Sequence, residues 1–454
     1  MSYRAITGVL LLGLLSAIGW APRAQAWGLG HNKITQAACA VLPEWQRKAL
    51  GKTQADLVKN YCLFPDRKDS PEVKPYVIPV EERTFHYMPR VDVAENQRYF
   101  TAGASLYLEQ ILARLKEGKT EEAAKYLGYL LHILEDAGLP GIHSLEGFNG
   151  LTWTQLGEII QPPDGSHPLY SPKAVFQVII DFDAMPEFAV NIAGYRPRYL
   201  GTSTPEIAFH LYQDYVAVVR AGRRAAVPAA ERVYAGDRSG AAREAAKAAQ
   251  VCGQACADLI YTCLSAADNR ADATDLAGLE KTDLTTLEPA SVPLFTNLPY
   301  RFTPLILQAS LGRWRQVYPL ELWIEAGGKK EKKTFPRGFS TGMVAVGYDL
   351  PPHVFSRLDL TAGIHATLGS DDWNGTRLAR EAPAAFQMAI KLNGQTLWES
   401  KVLEKDALGE KVSVPVLGGG RLEFVSTNQS RAETNHANQP VWAEPVLIRA
   451  PLTK

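Results

Sequence analysis

The sequence predicts two domains, an all-α helical domain followed by an all-β sandwich, and three observations predict it. The chain has 454 residues, 46% hydrophobic and 21% charged, a globular composition long enough for two or three domains. From about residue 27 to 285 the apolar residues recur with a period near 3.6 and β-branched runs are few. After about residue 290 the chain breaks into short strand-like runs separated by Gly, Pro, Asn and Asp. The implied divisions are a leader at 1–26, a helical domain at 27–285, a linker at 286–309 and a sandwich at 310–450.

Lys+Arg and Asp+Glu both number 48, a formal charge of zero. That balance leaves no strongly basic field to gather nucleic acid by electrostatics alone. Arg4 precedes the apolar run 9–21, and Ala24-Gln25-Ala26 has the small-x-small pattern of a cleavage point, so 1–26 reads as a signal peptide. The run is shorter than the ~20 residues a bilayer-spanning helix needs and nothing comparable follows, so no transmembrane segment is expected. Cleavage after Ala26 would make Trp27 the amino terminus. No cysteine stands there for lipid attachment, and the expected location is secreted or periplasmic.

The clearest helices can be bounded. One covers 94–117 and ends at Gly118; a second runs from Thr120, a candidate N-cap with acids in its first turn, to Gly138. A third starts at Thr204-Pro205, since proline is tolerated at the first helical position, and an alanine-rich fourth spans 240–265. Strands are expected at 320–324, 385–392, 411–417 and 421–425, a spacing that reads as an antiparallel sandwich. The five cysteines, Cys39, Cys62, Cys252, Cys256 and Cys263, are too few for a disulfide scaffold, and their odd number leaves at least one thiol unpaired. Cys252 and Cys256 read as buried thiols or as half of a disulfide to another segment.

Chemistry shows at the histidines. His132 and Asp136 stand four residues apart, as do His210 and Asp214, so each pair projects from one helix face. Either pair alone is also what a helix-face salt bridge looks like. Together, with His143 just past a helix end, they supply the N and O donors that zinc accepts. Trp27-Gly-Leu-Gly-His31 would add a free α-amine, a carbonyl and an imidazole on one glycine-hinged segment.

Over roughly residues 27–220 this ordered set of motifs resembles the zinc-dependent phospholipase C / P1 nuclease superfamily, whose mature chains begin with tryptophan and bind three zinc ions in an all-helical domain. The ligand order the resemblance implies here is Trp27, His31, Asp66, His86, His132, Asp136, His143, His210 and Asp214. It implies one zinc held by Asp66, His86, His132 and Asp136, and a second by the Trp27 amine and carbonyl, His31 and Asp136. A third would be held by His143, His210 and Asp214. Asp69 competes with Asp66 for its role, His86-Tyr87 looks like the superfamily's His-Tyr loop, and His167 reads as a loop residue. The helix end carries Leu-Pro-Gly where the superfamily usually has Gln-Pro.

Three such ions imply hydrolysis of a phosphate diester. Paired zincs about 3.5–4 Å apart clamp phosphoryl oxygens and lower the pKa of a bridging water toward ~7, while the third would stabilise the leaving oxygen. Asp66 would be both ligand and base or orienter of the water, and Arg67 or Lys68 either offsets phosphoryl charge or is a solvated loop charge. The substrate expected is a phospholipid, from Tyr126–His132 and the preceding Tyr99-Phe100 helix and from the lack of a basic groove. A P1-type single-strand nuclease is the alternative.

The C-terminal runs at 339–350, 355–364, 392–400 and 435–447 resemble, in order, an NPCBM-type carbohydrate-binding module, a galactose-binding-like jelly roll. The resemblance implies a glycan ligand stacked on Trp398 and Trp442, although tryptophans at strand ends are also core residues, and Asn435-His436-Ala437-Asn438 departs from the module's acidic run. A second class of function stays open: a non-catalytic surface protein, metal-stabilised, that binds glycan.

Overall fold

The computed structural model describes residues 27–80, 93–140, 185–292, 305–312, 316–369, 383–431 and 437–451. The leader, His86, Tyr87, His143, His167 and His436 lie outside them. Among the described residues eight helices come first: α1 Gly30–Ala40, α2 Glu44–Leu50, α3 Thr53–Lys59, α4 Val93–Lys116, α5 Thr120–Ala137, α6 Thr204–Tyr234, α7 Arg238–Ala267 and α8 Ala273–Leu279. Three short 3-10 turns, Tyr61–Leu63, Pro65–Arg67 and Lys74–Tyr76, follow α3.

The four long helices fall within a residue or two of their predicted starts. Thr120 is not the cap: it is the first helical residue, and Lys119 before it makes no side-chain cap bond, so Glu121 and Glu122 in the first turn are what favours that end. α7 does have a side-chain cap, from Asp237 to the Gly240 N–H. Its alanines let neighbours approach closely, and it packs mainly on α6, α1, α4 and α5. All five cysteines are free and buried, so no disulfide links the helices.

Among the described residues the second part has two larger antiparallel sheets and two two-stranded ones, Ser310–Leu311 with Val317–Tyr318 and Leu320–Ala326 with Lys329–Phe335. One of the larger sheets is ordered Glu410–Pro415, Phe355–Ile364, Pro440–Arg449, Gly338–Thr341, Leu305–Leu307, with Lys281–Asp283 also pairing with Pro440–Arg449. The other runs Gln395–Glu399, Ala385–Leu392, Gly420–Asn428, Ala345–Leu350, with Leu403–Glu404 on Ala385–Leu392. Phe339, Phe355, Phe386, Phe424 and Trp442 fill the space between them. The sandwich thus starts at Lys281, inside the span read as helical, and Leu305–Leu307 of the expected linker is one of its strands.

The two parts share an interface. Phe209 of α6 belongs to the sandwich core, its ring centroid 5.7 Å from that of Phe355. Arg449, at the end of the last strand, donates from Nε and Nη2 to the two Glu206 carboxylate oxygens at 2.6 and 2.7 Å. Gln97 Nε2 of α4 donates to the Asp349 carbonyl at 2.8 Å.

Candidate metal centre

α5 organises the centre. Gly128, His132 and Asp136 lie on one face of it, each one turn beyond the last. A Cβ at Gly128 would sit 2.4 Å from the Tyr61 carbonyl oxygen, so only glycine lets the Tyr61–Leu63 turn rest on the helix there. That contact brings the Cys62 carbonyl to 2.8 Å from His132 Nδ1. The next turn, Pro65–Arg67, then carries Asp66 Oδ1 to 3.8 Å from His132 Nε2. From the other side α1 brings His31, whose ring stacks on that of His132 with centroids 4.2 Å apart and 13° between planes.

The partners assign the ring nitrogens. Nδ1 of His132 faces a carbonyl and must carry its proton, and Nδ1 of His31 lies 2.7 Å from Glu135 Oε2 and does the same. Both Nε2 atoms then turn toward Asp136: His31 Nε2 lies 3.4 Å from Oδ1, His132 Nε2 3.2 Å from Oδ2. His31 and His132 have no solvent exposure and Asp136 only 2%.

Burial alone would lower the His31 pKa, but the Asp136 and Glu135 carboxylates outweigh it and push it up to about 10. His132 is likewise raised, against burial and against His31, chiefly by Asp136. Two buried rings aimed at one carboxylate, with a second carboxylate alongside, form a cavity for positive charge.

Zinc suits this donor set. With bonds of ~2.0–2.2 Å from tetrahedral zinc to N and O, ligand atoms on one ion stand about 3.4 Å apart, which the Asp136 separations match. His31 Nε2 and Asp66 Oδ2 are buried with no hydrogen-bond partner among the described residues, as donors awaiting a cation would be. His31, His132 and Glu135 form a cluster whose donor atoms lie within 4.8 Å of one another.

Of the nine ligands expected from the sequence, the structure brings together His31, Asp66, His132 and Asp136. Trp27 is at the same place: buried in the turn before α1, it donates from Nε1 to the Glu135 carbonyl at 2.5 Å. Of the two competing aspartates, Asp66 is the one whose carboxylate stands 3.8 Å from a ring nitrogen, His132 Nε2. His86 and His143 lie outside the described residues.

His210 and Asp214, two members of the expected third set, stand together in a further cavity, while His143 lies outside the described residues. They line a cavity of about 680 Å³ with Arg196, Arg198 and Lys281. Arg198 Nη2 takes Asp214 Oδ1 at 2.5 Å and Asp258 Oδ2 at 2.9 Å, so a guanidinium is the immediate partner of Asp214. Burial holds His210 neutral, down to about 4, and pushes Asp258 up to about 7.

The Arg67 guanidinium donates to Glu72 and to the Asn60 carbonyl at 3.1 and 3.0 Å. In the sandwich, Trp442 is wholly enclosed, in contact with Phe339, Phe424 and Trp398, and offers no face to a sugar. Trp398 is partly exposed and donates from Nε1 to Glu410 Oε1 at 3.1 Å.

The residue sequence reasoning missed is Glu135. Its side chain is wholly buried, taking the Thr35 hydroxyl on Oε1 at 2.6 Å and His31 on Oε2. The available signal was its place beside Asp136 on the apolar side of an amphipathic helix, where a glutamate requires a partner.

No family model matches the chain, and no curated protein matches its sequence. Among solved structures, Clostridium perfringens alpha-toxin from avian strain SWCP aligns over 96% of this chain and 90% of its own, at 13% identity and TM-score 0.29. Alpha-toxin from Clostridium absonum aligns over 96% and 97%, at 10% identity and TM-score 0.33. A CBM51 domain from Clostridium perfringens GH95, in complex with methyl-galactose, aligns over 37% of this chain and 99% of its own, at 16% identity and TM-score 0.27.

Proposed function

We propose that this chain is a secreted or periplasmic zinc-dependent phosphodiesterase of phospholipase C type. The observation that carries the reading is the Asp136 carboxylate, which turns one oxygen to His31 Nε2 and the other to His132 Nε2. Asp136 would bridge two ions, one shared with His31 and Trp27, the other with His132 and Asp66. Zinc bound there supplies Lewis acidity and a water whose pKa falls toward ~7. Asp66, at the mouth of the cluster with Oδ2 unpartnered, would orient the attacking water and accept its proton. Buried Cys62, Glu135 and α7 close the opposite side and keep bulk water from the donors.

A third ion, if bound, would draw on His143. The leader pattern supports export, and among the described residues no helix is long and apolar enough to cross a membrane. In the sandwich the glycan role would fall to Trp398.

The deciding test is elemental analysis of the chain cleaved after Ala26, with bis-p-nitrophenyl phosphate hydrolysis measured with and without chelator. Two or three zincs per chain and chelator-sensitive turnover support the enzyme. Zinc without turnover supports the metal-stabilised surface protein, and neither sinks the metal reading. Phosphatidylcholine against single-stranded DNA then separates the phospholipase from the nuclease.

A further inference from the structure

Residues 27, 31 and 35 are spaced by one helical turn, and all three reach Glu135. Trp27 Nε1 donates to its carbonyl at 2.5 Å, His31 Nδ1 to Oε2 at 2.7 Å and the Thr35 hydroxyl to Oε1 at 2.6 Å. Both carboxylate oxygens are thereby engaged by α1, and Cys256 Sγ closes the far side at 3.9 Å from Oε1. The side chain has no solvent exposure. Its neighbour Asp136 faces the ring nitrogens while Glu135 faces the back of one ring, so adjacent residues of α5 play different parts.

We infer that Glu135 is a positioning residue, one that docks α1 on α5 and holds the His31 imidazole with its proton on Nδ1 and its lone pair on Nε2. This rests on the metal reading above. A carboxylate on the far nitrogen of a ligating histidine fixes tautomer and ring orientation and raises ligand basicity, and losing it typically costs ~10–100-fold in metal affinity. The effect should be confined to the ion at His31, because His132 takes its orientation from the Cys62 carbonyl instead.

Glu135→Gln tests this with the side chain's shape retained. The amide still accepts from Thr35 through its oxygen and presents N–H to His31, which forces the ring proton onto Nε2. Zinc affinity of the full chain, by chelator competition, should fall ~10–100-fold for one ion and stay near wild type for the other. Thr35→Val, which keeps the carboxylate, should weaken the same ion less. His31→Ala/Glu135→Gln should bind no more weakly than His31→Ala alone, since the effect of Glu135 passes through that ring. Wild-type affinity in Glu135→Gln, equal loss of both ions, or additive loss in the double variant would overturn the assignment. Unchanged zinc binding in both His31→Ala and His132→Ala would overturn the metal reading and this inference with it.

Discussion

The imidazoles of His31 and His132 lie face to face, 4.2 Å apart, each directing Nε2 at a different oxygen of Asp136. Two protonated rings so placed repel, and the His31 charge lowers the His132 pKa against the pull of Asp136. Zinc bound at either nitrogen would displace its proton as it binds. In the metal-free protein the His31 pKa, raised from 6.5 to about 10, contributes stability that is full below pH 6.5 and is lost as pH rises toward 10. Thermal melts across that window should show metal-free protein weakening while zinc-loaded protein does not. Parallel curves would count against zinc at these rings.

His132→Ala removes the ring shared by Asp66 and Asp136. We expect at least one zinc lost per chain and phosphodiester hydrolysis abolished, with the sandwich still folded by near-UV circular dichroism. Undiminished turnover would refute the assignment.

Gly128→Ala places a methyl 2.4 Å from the Tyr61 carbonyl. The overpacking should cost about 1–3 kcal/mol, and the displaced turn should also misplace the Cys62 carbonyl and Asp66. Urea denaturation with zinc titration checks it; an alanine variant of wild-type stability and affinity would show that the turn does not need that contact.

The Arg449–Glu206 pair joins the sandwich to α6, with side-chain exposures of 11% and 1%. Arg449→Met leaves Glu206 buried without its guanidinium and should cost about 3–5 kcal/mol, most of it recovered in Arg449→Met/Glu206→Met. Denaturation of the two variants measures the difference, and equal losses would mean the pair is not coupled.

His365 in the sandwich shows the opposite pH dependence. Its Nε2 faces the Pro319 carbonyl at 2.9 Å and its Nδ1 accepts from the Thr367 and Leu368 amides, so it must stay neutral. Burial lowers its pKa from 6.5 to about 4. Between those values the unfolded chain takes up a proton that the folded chain does not, so stability is lost as pH drops from 6.5 toward 4, by up to about 3 kcal/mol. A His365→Gln variant should lose that slope; an identical slope would place the proton uptake elsewhere.

Retaining residues 1–26 denies Trp27 a free α-amine. Zinc content should be lower in the uncleaved chain than in the chain cut after Ala26. Equal content in both would remove Trp27 from the ligand set.

The helical first part, the antiparallel second part and the long helices are legible in the residues alone, because apolar period, caps and breakers act locally. It also placed His132 with Asp136, since four residues on a helix fix a face. Which faces meet is set by the packing of the folded chain. His210 and Asp214 have the same spacing, yet α6 turns them to Arg198 and a separate cavity, because a helix face does not encode its neighbour. Trp442 and Trp398 looked alike as strand-end tryptophans; sheet register buried one and left the other partly open. Glu135 was hidden for the same reason, as its three partners lie about a hundred residues away along the chain and meet it only when α1 packs on α5.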